Sequence, residues 1–122
     1  MQENINENFN EKRACPRYRV KYNATVSVNT RKVGTTIVDI SEMGVGLMLS
    51  EKVNRGDMLD VNIDAGNEKC PKNINLKAMV AWTGDQNQEG FVKVGLEIIK
   101  ISVENYEILT KHIQELSQKD EE

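Results

Sequence analysis

Between Tyr18 and Val28 every second residue is apolar. Val20, Tyr22, Ala24, Val26 and Val28 fall on one side, and Arg19, Lys21, Asn23, Thr25 and Ser27 fall on the other. A period of two over this length specifies an extended chain with one dry face and one wet face. The pattern returns at intervals. Val33 to Ile40 is rich in β-branched residues, and Val45, Leu47 and Leu49 alternate after a break containing Ser41, Gly44 and Gly46. Leu59, Val61 and Ile63 alternate with Asp60, Asn62 and Asp64, Ile74 to Trp82 repeats the pattern, and Val92, Val94, Leu96 and Ile98 close the series. Turn-forming residues separate the segments: Asn29 to Lys32, Asn54 to Asp57, Ala65 to Asn73 and Gly84 to Gly90. Six short strands with no helix between them predict an all-β fold, a six-stranded antiparallel barrel or sandwich, and argue against an α/β fold.

The period changes at the end of the chain. Val103, Tyr106, Leu109, Ile113 and Leu116 recur at steps of three and four, which predicts one C-terminal α-helix with Ser102 as its N-cap, lying over the barrel. With 122 residues, 39% of them apolar and 29% charged, one core and one domain are expected. The boundaries read as a flexible polar tail over 1–11, the domain over 12–117 and a frayed acidic end over 118–122. Met1 to Asn10 has no apolar run and no later stretch is long enough to cross a bilayer, so a cytoplasmic protein without membrane insertion is expected. In a reducing compartment Cys15 and Cys70 are expected to stay thiols, and they lack the paired spacing of a zinc site.

Charge is distributed unevenly. The net charge is −3, yet seven of the sixteen basic residues (Lys12, Arg13, Arg17, Arg19, Lys21, Arg31 and Lys32) fall before Val38 with no acid among them. A basic cluster inside an acidic chain suits a compact anion better than a long polyanion. Arg19 and Lys21 also fit the solvent face of the first strand. Catalysis finds little support. His112 is the single histidine, set beside Ile113 on the helix, and no Ser or Cys has a base at motif spacing. Asp57, Asp60 and Asp64 lack the spacing and glycine of a calcium loop, so no metal is expected.

Two motifs remain. One is Arg13-Ala14-Cys15-Pro16-Arg17, an Arg-x-x-x-Arg just ahead of the first strand. The other is Asp39-Ile40-Ser41-Glu42-Met43-Gly44, an Asp-x-Ser-x-x-Gly after the second. In this order and separation they resemble the hallmark motifs of the PilZ family, and Val94-Gly95-Leu96-Glu97 is similar to that family's final strand. The resemblance runs from about Lys12 to Leu116. It implies a six-stranded barrel with a helix packed over it and a receptor, not an enzyme, whose ligand is cyclic di-GMP. It further implies that Arg13 and Arg17 contact the ligand's guanines and phosphates from an N-terminal arm, and that Asp39, Ser41 and Gly44 line the floor of the site. Lys12 corresponds to the position that influences whether one nucleotide or a stacked pair is bound. Arg19 and Gly46 flank the motif residues and join Lys12 as secondary candidates.

The chemistry of the residue types agrees with that implication. Arginine's planar fork pairs with phosphate oxygens or with guanine O6 and N7, and a carboxylate accepts from guanine N1–H and N2–H2. Ser41 can donate or accept, and Gly44 permits either a positive φ or a close backbone approach. An unidentified downstream protein is the expected partner, with a monomer or weak dimer as the assembly. Two other readings stand beside this one. Some PilZ domains are adaptors that bind no nucleotide, and those usually lack one or both motifs. A small OB-type nucleic-acid barrel would stack bases on exposed aromatics, but Tyr22, Trp82 and Tyr106 fall on apolar positions where core packing is expected, leaving Tyr18 alone near the basic cluster.

Overall fold

The computed structural model describes residues 15–67 and 69–120. Its elements in chain order are β1 Tyr18–Val28, β2 Arg31–Ile40, β3 Gly44–Leu49, β4 Met58–Asp64, β5 Asn73–Gln86, β6 Val92–Lys100 and helix α1 Val103–Asp120. The strands close into one antiparallel barrel in the order β1-β2-β3-β6-β5-β4. Closure removes both sheet edges, so every strand has a neighbour on each side. The alternating residues point inward as their period requires: Val26, Ile37, Leu47, Val61, Ile63, Ile74, Val80 and Val94 are each no more than 2% exposed.

Three sequence expectations need correction. The turn after β1 is not Asn29 to Lys32 but the two residues Asn29 and Thr30, both at positive φ (50° and 70°), so that Val28 pairs directly with Arg31. Two consecutive left-handed residues make the tight hairpin turn whose twist matches that of the strands, and β2 starts two residues earlier than Val33. Strand β5 runs on to Gln86, beyond Trp82, because β6 supplies partners through the Gln86–Val92 pair.

The third correction concerns α1. Its buried face is Leu109, His112, Ile113 and, in part, Leu116, a spacing of three and four, whereas Val103 and Tyr106 are 74% and 43% exposed. The stripe read from the sequence is therefore shifted by one helix position at its start. The reason is polar. Ser102 Oγ accepts the Asn105 N–H at 3.1 Å as the N-cap, and Asn105 Oδ1 accepts the Asn75 N–H at 2.8 Å, which ties the first turn to β5 by hydrogen bonds instead of apolar contact. His112 lies in the seam between α1 and the barrel, where its Nε2 shares a hydrogen bond with the Tyr22 hydroxyl. Burial, and then the Glu115 carboxylate, push that hydroxyl above its ordinary phenolic range, so it stays protonated and can bridge to the ring. The helix runs through Gln118 to Asp120, past the boundary read at residue 117. None of the helices among the described residues is long and apolar enough to cross a membrane.

Candidate functional site

Two irregularities in strand pairing build the site. Strict alternation from the buried Ile37 would turn Asp39 inward and Ile40 outward. Instead the β2–β3 register shifts between Ile37 and Asp39, so Ile37 and Ile40 are both fully buried and Asp39 faces out. The β5–β6 register shifts between Val80 and Trp82 in the same way, leaving Val80 fully buried and Trp82 43% exposed. A bulge inserts one residue into a strand and reverses which face the following side chains take. Core packing for Trp82, expected from its alternation, is thereby overturned. Tyr106 is likewise exposed and not packed in the core.

These bulges align a row across five strands. Arg19 pairs with Asp39, Asp39 with Gly46, Gly46 with Gly95, and Gly95 with Trp82. Both glycines are required by what lies above them. A Cβ at Gly46 would stand 2.7 Å from Asp39 Oδ2, and one at Gly95 would stand 2.3 Å from the Trp82 indole atoms Cε2 and Nε1. The carboxylate thus rests on one glycine and the indole on the next, which makes a shallow trough on the barrel's outer face.

Cations converge on Asp39. Arg17 Nη1 donates to Asp39 Oδ1 at 2.9 Å, and Lys93 Nζ, projecting from β6, stands 3.2 Å from Oδ2. Lys93 Nζ is also 5.9 Å from the Trp82 ring centroid. The Asp39 side chain is only 13% exposed, while Arg17 and Lys93 are each nearly half exposed. One half-sunken anion is therefore held between two solvent-facing cations, and either cation can leave without stranding the carboxylate. A cavity of about 280 Å³ beside this row is lined by Cys15, Arg17, Ser41, Met43, Trp82 and Glu97, among others. A larger cleft of about 630 Å³ near the start of α1 is lined by Lys32, Asp60, Asn62, Asn75, Lys100 and Asn105, among others, and contains none of the motif residues.

Of the residues named from the sequence, Arg17, Asp39, Ser41 and Gly46 come together here, and Arg19 is exposed at the β1 end of the row. Arg13 and Lys12 lie outside the described residues. Ser41 is 2% exposed and its hydroxyl is committed to its own turn: Oγ accepts the N–H groups of Met43 and Gly44, both at 3.1 Å, and donates to the Gly44 carbonyl at 3.2 Å. Its part is to shape the loop that follows Asp39. Gly44 is explained by close approach and not by positive φ, since a Cβ there would lie 2.3 Å from the Leu96 carbonyl oxygen on β6. Trp82 and Lys93 were missed. The signal that could have found them is Gly95, a glycine at an outward position in an otherwise regular strand, which marks where something lies close against the backbone.

A family model described as "PilZ domain" matches residues 11–115. Among solved structures the chain is similar to the Bacillus subtilis inhibitor of motility, MotI/DgrA, at 19% identity and a TM-score of 0.70, covering 84% of this chain and 50% of that one. It is also similar to the PilZ domain of YcgR from Escherichia coli, solved with c-di-GMP, at 12% identity and a TM-score of 0.68, covering 87% and 92%. The MrkH–c-di-GMP complex of K. pneumonia matches at 13% identity and a TM-score of 0.67, covering 88% and 53%. This chain thus spans about half the length of MotI/DgrA and MrkH. No curated protein sequence matches significantly.

Proposed function

This chain belongs to the PilZ domain family, and from that premise we propose that it is a receptor for cyclic di-GMP and not an enzyme. The single observation that carries the reading is the Arg17–Asp39 hydrogen bond across the trough. It unites the two motifs, which stand 22 residues apart, at one point on the barrel surface. It also suggests how the ligand enters. The guanine edge bearing N1–H and N2–H2 offers a carboxylate the same pair of parallel donors that a guanidinium does. Guanine can therefore replace Arg17 on Asp39 without leaving the acid unpaired, and Arg17 becomes available for a phosphate or for a second base. The exchange is inexpensive because an exposed ion pair contributes about 0–1 kcal/mol, while a hydrogen bond to a charged group contributes about 1.5–3 kcal/mol. Two relatives of the same fold, YcgR and MrkH, are solved with c-di-GMP, which supports the choice of nucleotide.

Within this reading Arg13 and Arg17 close over the ligand from the arm, Asp39 selects guanine, and Ser41 and Gly44 hold the loop that presents Asp39. Arg19, Gly46 and Lys12 are supporting positions. Calorimetry on wild type and Arg17→Ala tests it: saturable uptake by wild type at micromolar concentration, weakened about tenfold or more in the variant. Heat that is absent from wild type would instead favour a nucleotide-independent adaptor.

Ligand capture, in this reading, also fixes the arm against the barrel and presents a new surface to a downstream protein. Backbone amides of residues 5–18 are then expected to gain hydrogen-exchange protection when cyclic di-GMP is added. Unchanged protection in a protein that demonstrably binds would reject the ordering step while leaving the receptor reading in place.

A further inference from the structure

Resting on the reading that cyclic di-GMP docks in this trough, we propose that Glu97 is a second specificity-determining acid, which accepts the N1–H and N2–H2 edge of the ligand's other guanine. Along β6 the outward positions are Lys93, Gly95 and Glu97, while Val94 and Leu96 between them are buried. Lys93 is engaged by Asp39. Glu97 is not engaged: among the described residues its carboxylate has no hydrogen bond or ion pair. It lines the cavity of about 280 Å³ together with Arg17, Ser41 and Met43. The wall beside it is fixed, because the Ile98 N–H donates to the Met43 carbonyl at 2.9 Å and Gly44 pairs with Glu97 across the β3–β6 seam.

An unpartnered carboxylate repels the phosphates of a dianion, so Glu97 weakens binding unless the ligand also brings it donors. Guanine brings two side by side, whereas adenine has an acceptor at N1 and no amino group beside it. Cyclic di-GMP carries two such edges, and Asp39 accepts one. Between the Cα positions of Asp39 and Glu97 lie two strand spacings across the barrel and two residues along β6, about 12 Å. The two bases hang from opposite sides of one macrocyclic ring, so they suit two separated acceptors better than one. Once Asp39 has seated the first guanine, the second meets Glu97 as an intramolecular event. Loss of Asp39 therefore removes both contacts, whereas loss of Glu97 removes only its own.

The hybrid dinucleotide cyclic GMP–AMP, which offers one guanine and one adenine, isolates the second contact. Competition calorimetry on the full chain is expected to show wild type binding it about tenfold or more weakly than cyclic di-GMP. Glu97→Gln should bind cyclic di-GMP about tenfold less well and hold the hybrid within about twofold of it, because an amide presents one acceptor and one donor where the carboxylate presents two acceptors. Cyclic di-AMP should remain weaker than either, since Asp39 still reads one base. Glu97→Asp, which keeps the charge, should retain part of the preference. The Glu97 side chain is exposed, so both variants should melt with wild type. Wild type that binds the hybrid as tightly as cyclic di-GMP, or a Glu97→Gln variant that weakens both equally, would overturn the second contact and leave the receptor reading intact. Wild type that takes up no cyclic di-GMP removes the premise and the inference together.

Discussion

Asp39→Ala is expected to lower the affinity for cyclic di-GMP about a hundredfold, more than any other single truncation in the site. The carboxylate sits at the centre of the trough, and it already bonds Arg17 at 2.9 Å and Lys93 at 3.2 Å. Its removal takes away the acceptor for the guanine edge and leaves two cations facing each other without a counter-ion. Truncating one member of a hydrogen-bonded charge set in an interface costs about 2–5 kcal/mol, and each 1.4 kcal/mol is about a factor of ten. Because phosphates can still be attracted to Arg17 and Lys93, residual binding should lose its base preference, and cyclic di-AMP should compete almost as well as cyclic di-GMP. Folding is affected much less. Arg17 and Lys93 are 49% and 45% exposed, so their ion pairs with Asp39 add little to stability. Competition calorimetry beside thermal melts checks both halves of this result. A variant that melts far below wild type yet keeps its affinity would show Asp39 to be a structural acid and not a recognition group.

Gly44→Ala should produce the opposite split, a large loss of stability from one methyl group. The added Cβ would stand 2.3 Å from the Leu96 carbonyl oxygen, 3.4 Å from its carbonyl carbon and 3.6 Å from Glu97 Cα. All three are backbone atoms of β6, the strand paired with β3 at Gly44–Glu97. A flexible side chain could move aside, but these atoms cannot shift without opening the seam between two barrel strands. Overpacking of this kind costs about 3 kcal/mol, which for a domain of this size lowers Tm by on the order of 10 °C. Gly34→Ala is the matched control. It is also a strand glycine, but nothing lies within 4 Å of the position its Cβ would take, so its melt should match wild type or rise slightly. Equal melts for the two variants would show that the β3–β6 seam can yield.

Much of the architecture was legible because it rests on local rules. The alternation from Tyr18 to Val28 and from Leu59 to Ile63 translates directly into buried and exposed faces, since a strand has no other way to place neighbouring side chains. Ser102 could be named as an N-cap for the same reason: a hydroxyl at the start of a helix has unpaired N–H groups within reach. The Asp-x-Ser-x-x-Gly turn is local too, as Ser41 Oγ serves N–H groups only two and three residues ahead. Tyr106 misled because a helical stripe says which residues share a face, not where along the helix contact with the barrel begins.

The chain's own order of residues determined that six strands and a helix would form, which faces would be dry, and that Arg17 and Asp39 were groups of the right chemistry. The tertiary structure alone decided that they meet, that Asp39 and Trp82 face outward in spite of their parity, and that Lys93 arrives between them. The physical reason is that parity is a property of one strand, whereas a bulge is a negotiation of register between two. Only the closed barrel, in which β2 must match β3 and β5 must match β6 at once, sets where the slips fall and hence which side chains share the trough.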